Sequence, residues 1–155
     1  MTTLSKQETD LLEEKILGFI PILKSMGIQL VRIEDSRCLL RVPLALNHNH
    51  KGTAFGGSLY AACTAACYTL AYALQIKTSL VNRDLVITKG EIEYLKPITQ
   101  DFFVLAEIDL LSWQTVLDSL TQKKPKRLRL KAFIRHDETG PDRVRFEGEF
   151  AFLPS

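Results

Sequence analysis

Hydrophobic residues recur at helical spacing near the start of the chain. Ser5 and Glu8 form a capping box ahead of them, and Pro21 stands where a helix would end or kink. The apolar positions between these signals are Leu11, Leu12, Ile16, Phe19 and Ile20. Gly27 then closes the segment, because glycine commonly follows the last turn of a helix. We therefore predict an N-terminal helical segment over residues 1–26.

Most of the remaining chain alternates between apolar and polar residues. Two strands are predicted at residues 28–34 and 37–44, joined by a tight turn. Four later strands have these apolar faces: Val86, Thr88, Gly90, Ile92 and Tyr94; Val104, Ala106, Ile108 and Leu110; Leu128, Leu130, Ala132 and Ile134; Val144, Phe146, Gly148, Phe150 and Phe152. One face toward a core and one toward water is typical of strands in an antiparallel sheet.

Glycines and one short segment interrupt this pattern. Gly90 and Gly148 occupy inward positions, where a bend, a bulge or a closely approaching helix leaves no room for a side chain. Between the middle strands, residues 112–122 are predicted to form a short helix with Ser112 as its cap.

The most apolar segment runs from Gly52 to Ile76 without a charged residue, and its length could cross a bilayer. It contains polar residues and many alanines, which contribute little to membrane insertion, so a buried helix over about residues 57–76 is favoured. The predicted elements make an α+β fold of the hot-dog type, in which about six antiparallel strands wrap around one long central helix. An additional N-terminal helix precedes them. We expect a single domain over residues 1–155.

Composition and charge narrow the function classes. A net charge of +2 in 155 residues gives no reason to expect a nucleic-acid partner. No signal peptide is evident, and three cysteines at no framework spacing favour a cytoplasmic setting. Cys63 and Cys67 lie on one helical face but lack a second paired motif, so we expect buried thiols, no metal and no cofactor.

The segment from Asn47 to Tyr60 reads NHNHKGTAFGGSLY. It resembles the putative thioesterase domain at the C-terminal end of YiiD-type bacterial proteins, a branch of the hot-dog thioesterase superfamily. The resemblance covers the chain from about Ile20 onward, and KGTAFGG is its most specific element. It implies an activity on acyl thioesters, and the family is associated with decarboxylation of malonyl-ACP to acetyl-ACP, which primes fatty acid synthesis. It also implies a homodimer or a dimer of dimers, with the active site between the paired chains.

Two departures from common hot-dog thioesterases bear on the chemistry. Where those enzymes have a His before the two glycines, this chain has Phe55, and where they have a helix acid it has Thr64. Gly56 and Gly57 would expose backbone N–H groups at the start of the helix, next to the positive end of its dipole, although they could also serve only the turn. A thioester oxygen could bind there, with Ser58 nearby.

Acidic residues are absent between Asp35 and Asp84, so this region offers no carboxylate base for hydrolysis. Decarboxylation needs no base in its bond-breaking step. Neutral donors from Asn47, Asn49 and Thr64 could orient the departing carboxylate, although Asn residues also shape turns and a helical Thr can bond to its own helix. His50 and His48 are either exposed loop residues or the bases of a hydrolase, and His50 and Phe55 are also candidate substrate-binding residues.

A basic run is a candidate docking surface for an acidic acyl carrier protein or for coenzyme A, or a merely solvated face. Its candidate contact residues are Lys124, Lys126, Arg127 and Arg129. The first interpretation is therefore a malonyl-ACP decarboxylase. The alternatives are an acyl-CoA or acyl-ACP hydrolase and a non-catalytic module that binds acyl thioesters. No nucleic acid or membrane partner is expected.

Overall fold

The computed structural model describes residues 3–78, 83–119 and 126–153. Its helices are α1 (Lys6–Phe19), α2 (Pro21–Ser25), α3 (Gly56–Ile76) and α4 (Leu110–Asp118), and a 3₁₀ turn covers Leu44–Leu46. Its strands are β1 (Gln29–Ile33), β2 (Arg37–Val42), β3 (Asp84–Tyr94), β4 (Phe102–Glu107), β5 (Lys126–Arg135) and β6 (Val144–Leu153).

The six strands form one antiparallel sheet in the order β1-β2-β4-β5-β6-β3. The sheet packs around α3, whose alanines and cysteines let five of the strands approach closely. By length and composition α3 could cross a membrane, but 67% of its most apolar window is buried inside the protein. The predicted α+β hot-dog arrangement is confirmed, and α3 is its core helix.

The N-terminal segment forms as predicted. The Glu8 backbone N–H donates to the Ser5 hydroxyl and the Ser5 N–H donates to the Glu8 carboxylate, which completes the capping box. Pro21 ends α1 and begins α2, where its missing N–H costs no helical hydrogen bond. Gly27 follows α2 with a φ of +69°, a conformation in which a side chain is strained.

Replacing Gly27 by alanine is expected to lower the free energy of unfolding by about 1–3 kcal/mol, because a Cβ here would be strained. That Cβ would also lie 2.8 Å from Pro43 Cγ and 2.9 Å from Leu46 Cδ1. Gly18→Ala is the control, since its Cβ would meet nothing within 4 Å and alanine favours a helix by about 0.5–1 kcal/mol. Urea denaturation measures both variants, and equal stability for the two would contradict this account of Gly27.

Two details of the sequence prediction are wrong. The short helix begins at Leu110, and its cap is Asp109, whose carboxylate accepts from the backbone N–H groups of Leu111 and Ser112. Ser112 is therefore inside the helix, since the preceding carboxylate competes better for the free N–H groups. Strand β4 accordingly ends at Glu107, and residues 120–122 of the predicted helix lie outside the described residues.

The second error concerns β3, where a bulge between Ile87 and Lys89 shifts the register. Thr88 is the extra residue, and its hydroxyl donates to the Glu149 backbone oxygen at 3.1 Å. Because a bulge reverses the facing of the residues on one side of it, Ile87 rather than Val86 stands opposite the buried Phe150. Gly90, Ile92 and Tyr94 keep their predicted inward facing.

Candidate functional site at the start of helix α3

The loop before α3 folds back on itself and delivers the chain to the helix. The Phe55 N–H donates to the Asn47 carbonyl at 2.7 Å, and His48 and Ala54 form an isolated antiparallel bridge. Gly52 turns the loop with a φ of +76°. The Ala54 N–H donates to the Ile98 carbonyl at 2.9 Å, which fixes the loop against the segment that follows β3.

Asn49 is used by the loop itself. Its carboxamide oxygen accepts from the backbone N–H groups of Lys51 and Thr53, at 2.9 and 3.2 Å. Its amide nitrogen donates to the Thr53 hydroxyl at 2.9 Å. The side chain therefore shapes the turn, as Asn residues commonly do.

Asn47 is buried, with 2% of its surface exposed. Its amide donates to the carbonyl oxygens of Met26 and Pro43, each at 2.8 Å, and so joins the end of α2 to the end of β2. Its side-chain oxygen is also buried and has no hydrogen-bond partner among the described residues. Both amide hydrogens are thus committed to the fold, while one acceptor atom is available.

Helix α3 starts without a side-chain cap. Its N-cap is Phe55, which has no polar side-chain atom, so its first backbone N–H groups depend on other partners. These groups, at Gly56, Gly57 and Ser58, lie at the positive end of a 21-residue helix. The Tyr94 hydroxyl donates to the Gly56 carbonyl at 2.9 Å and holds β3 beside this first turn.

A groove of about 470 Å³ lies over this helix start, and we call it the α3 groove. Its walls are Thr53, Ala54, Gly56, Gly57 and Leu59 on one side and Tyr94, Leu95, Lys96, Pro97 and Ile98 on the other. None of these lining residues is Asp or Glu, and Lys96 is the one that carries a full charge. Burial raises the pKa of Tyr94, with a smaller effect from the neighbouring Cys63 and Tyr60, so its hydroxyl stays protonated at neutral pH.

The other predicted site residues lie around the groove rather than in it. Thr64 donates its hydroxyl to the Tyr60 carbonyl at 3.0 Å, which is a bond within its own helix. His50 is exposed, and so is His48, whose Nδ1 lies 3.0 Å from the Asn49 carbonyl. Phe55 is 57% exposed.

Phe55 covers the second glycine of the helix. A Cβ at Gly57 would lie 2.5 Å from the Phe55 ring, whereas a Cβ at Gly56 would make ordinary contact with Tyr94 at 3.4 Å. Gly57 therefore lets the aromatic ring lie against the first turn of α3. Ser58 is half-buried one position further along.

None of the three cysteines lines the α3 groove. Cys38, Cys63 and Cys67 are buried, and burial raises the pKa of each thiol, which stays protonated. The described residues contain no group of three His, Cys, Asp or Glu side chains placed to hold a metal ion.

The basic strand is more balanced in charge than its sequence indicates. Arg127 pairs with Glu149 at 2.7 Å, and Arg129 lies 3.8 Å from Glu147 and 3.9 Å from Glu149. The Thr88 hydroxyl and the Arg127 guanidinium hold the pKa of Glu149 below its usual value. Lys126 lies at the start of β5, and Lys124 is outside the described residues.

Sequence reasoning did not select Tyr94 and Lys96 as site residues. Both lie within or just after β3, 37 or more residues beyond the glycines, and only the sheet order brings them to the helix start. The inward position of Tyr94 was the one available signal, and it also fits a packing residue.

Comparisons with known proteins agree with this architecture. Residues 9–154 match the family model described as "Putative thioesterase (yiiD_Cterm)". A protein of unknown function from Chlorobaculum tepidum is similar over 96% of both chains, at 27% identity and a TM-score of 0.86. A putative thioesterase from Shewanella oneidensis is similar over 97% of this chain and all (100%) of its own, at 24% identity and a TM-score of 0.84. A thioesterase from Haemophilus influenzae shares the fold, at 11% identity, 94% and 90% coverage and a TM-score of 0.74. No curated protein matches the chain significantly.

Proposed function

The chain belongs to the YiiD C-terminal putative thioesterase family, and we propose that it decarboxylates a malonyl thioester to the acetyl thioester in the α3 groove. One observation carries this proposal. The groove combines backbone N–H groups without a side-chain cap with walls that contain no carboxylate. Such a site can stabilise negative charge on an oxygen but has no acidic residue to activate water.

The reaction uses the groove in one bond-breaking step. The bond between C2 and the carboxylate carbon breaks, carbon dioxide leaves, and the electron pair moves through C2 to the thioester oxygen as an enolate. The N–H groups at Gly56 and Gly57 stabilise that oxygen where its charge develops, and the helix dipole adds to their effect. C2 of the enolate then takes one proton from solvent water, which gives the acetyl thioester with the bond to sulfur intact.

Two side chains of the groove support this step. The Tyr94 hydroxyl keeps its proton and donates a hydrogen bond to the Gly56 carbonyl, which holds β3 beside the first turn of α3. Lys96 attracts the anionic substrate to the groove. Asn47 contributes through the loop it holds in place, and its unpartnered buried oxygen can accept one further hydrogen bond.

Hydrolysis of an acyl thioester is the second candidate function, because the family description is that of a thioesterase. It would need a base, and the nearest imidazoles in sequence are His48 and His50 on the exposed side of the loop. Neither residue lines the α3 groove. A hydrolase would therefore need the loop to move or a second chain to complete the site.

Malonyl-CoA distinguishes the two reactions in one assay that follows carbon dioxide and free thiol together. Decarboxylation is expected to release carbon dioxide without thiol and to be unchanged in His50→Ala. Thiol release that depends on His50 would contradict the proposal and favour the hydrolase. A chain that binds malonyl-CoA but forms neither product would be the non-catalytic module.

We further propose that the working unit is a homodimer joined through β3. This strand is 11 residues long and lies at the edge of the sheet. It exposes large apolar side chains near its start, at its last residue and just beyond it: Val86, Ile87, Tyr94 and Leu95. The opposite edge strand β1 has five residues and exposes one large apolar side chain, Val31. An unpaired apolar edge is readily extended by another strand, and β3 borders the α3 groove through Tyr94.

The natural carrier is proposed to be an acyl carrier protein, with coenzyme A as the alternative. Both present the same pantetheine arm and both are anionic, so a positive entrance suits either. Lys96 provides this charge at the groove itself. The β5 positions Lys126, Arg127 and Arg129 remain a predicted docking surface, although Glu147 and Glu149 offset part of their charge.

A further inference from the structure

Beyond the α3 groove, α3 and β3 continue side by side into the fold. Along β3, the inward positions run from Tyr94 through Ile92 to Gly90. Along α3, the chain runs from Gly56 to Tyr60 in the opposite direction. The two elements touch at the groove, where the Tyr94 hydroxyl meets the Gly56 carbonyl at 2.9 Å. An acyl chain that extended from the helix start into the fold would have to pass between them.

Tyr60 does not line the α3 groove, and its ring fills the space between α3 and β3 one helical turn beyond Gly56. A Cβ at Gly90 would lie 2.0 Å from the Tyr60 hydroxyl oxygen and 2.9 Å from Cζ, so the tip of the ring lies directly against the β3 backbone. The ring also packs edge-on against Phe146, with centroids 5.2 Å apart. The ring thus spans from α3 to β3 and rests on a buried side chain of β6.

The sheet is shaped to receive this ring. Gly90 pairs directly with Gly148 across β3 and β6, so two adjacent strands lack a side chain at the same level. A Cβ at Gly148 would lie 2.9 Å from Phe146 and 2.8 Å from Phe150. Aromatic rings therefore occupy the space that the two glycines leave.

The Tyr60 hydroxyl has no hydrogen-bond partner among the described residues. The hydroxyl extends the side chain onto the Gly90 backbone. We infer that Tyr60 is a specificity-determining residue: seated on Gly90, it closes the space beyond the α3 groove, so the site accepts acyl groups of two or three carbons and excludes long ones.

This inference rests on the proposed use of the α3 groove for acyl thioesters, but not on the choice between decarboxylation and hydrolysis. The test therefore measures binding of analogues in which a methylene replaces the thioester sulfur, because these undergo neither reaction. An acetyl and an octanoyl analogue are compared, each as the coenzyme A form and loaded on an acyl carrier protein, by isothermal titration calorimetry.

The wild-type chain is expected to bind the acetyl analogue at least about tenfold more tightly than the octanoyl one. Tyr60→Ala should raise the affinity for the octanoyl analogue by about 10–100-fold and change the acetyl affinity much less, because it opens the space along β3. Tyr60→Leu gives a smaller opening and should show the same trend if the alanine variant is poorly folded. Tyr68→Ala removes the same ring two turns further along α3 and should leave the chain-length preference unchanged.

Each possible result of the binding measurements either supports or overturns the role of Tyr60. Equal affinity of the wild-type chain for the two analogues, or an unchanged preference in a folded Tyr60 variant, would overturn the role of Tyr60 and leave the proposed function intact. Failure of the wild-type chain to bind either analogue on either carrier would overturn the proposed function and the inference together.

Discussion

Gly57→Pro is expected to lower kcat for malonyl-thioester turnover by ~10²–10³, because it removes one backbone N–H that would stabilise the enolate oxygen. Gly57 is the second residue of α3, and proline is tolerated in the first turn, where no helical hydrogen bond is lost. The preceding residue is Gly56, which lacks the Cβ that would clash with the proline ring. The helix should therefore persist while the donor is lost.

Gly57→Ala is the matched control for that substitution. It adds the same Cβ, which would lie 2.5 Å from the Phe55 ring and displace it, but it keeps the N–H group. Steady-state kinetics of the two variants, with circular dichroism to confirm folding, separates the donor from the added bulk. Equal losses in the two variants would show that space around Phe55, and not the N–H group, limits the reaction.

Val86→Lys is expected to weaken a β3-mediated homodimer by about 30-fold or more, because it would place an unpaired charge in the interface. Val86 is 40% exposed on β3, and Val31 is 41% exposed on β1 at the opposite edge of the sheet. Val31→Lys is thus a control of the same residue type and nearly equal exposure. Light scattering over a dilution series measures the association of both variants.

Turnover should follow the assembly if the second chain completes the site. Val86→Lys is then expected to lose activity at protein concentrations where it is monomeric and to recover part of it on concentration, while Val31→Lys stays active at all concentrations. A wild-type chain that is monomeric at assay concentration and fully active would contradict the dimer proposal. Equal effects of both substitutions would assign no special role to β3.

The architecture could be predicted because its signals are local. The capping box at Ser5, the uncharged run and the two glycines each concern neighbouring residues, and all three define the elements seen in the structure. The β3 bulge at Thr88 was missed because counting alternate positions assumes an uninterrupted register. The cap of α4 was misplaced because two possible capping side chains, Asp109 and Ser112, stand three residues apart.

The roles within the site depend on contacts between distant parts of the chain. Asn47 was predicted to touch substrate, yet its amide bonds to Met26, 21 residues earlier. Asn49 holds Thr53, four residues away, which the turn-shaping alternative had anticipated. The sequence gives Tyr60 no role beyond packing, and only its contact with Gly90 indicates what that packing closes. Spacing in the sequence indicates which residues are candidates, whereas the partners of each side chain decide its use.

The most direct test of the central claim is the intact mass of malonyl-loaded acyl carrier protein after incubation with the wild-type chain. Loss of 44 Da (about the mass of one carbon dioxide), with the acyl chain retained on the carrier, is the predicted result, since the groove can stabilise an enolate and has no carboxylate to activate water. The rate should fall in Gly57→Pro. Accumulation of carrier with a free thiol and no acetyl form would contradict the account and identify the chain as a hydrolase.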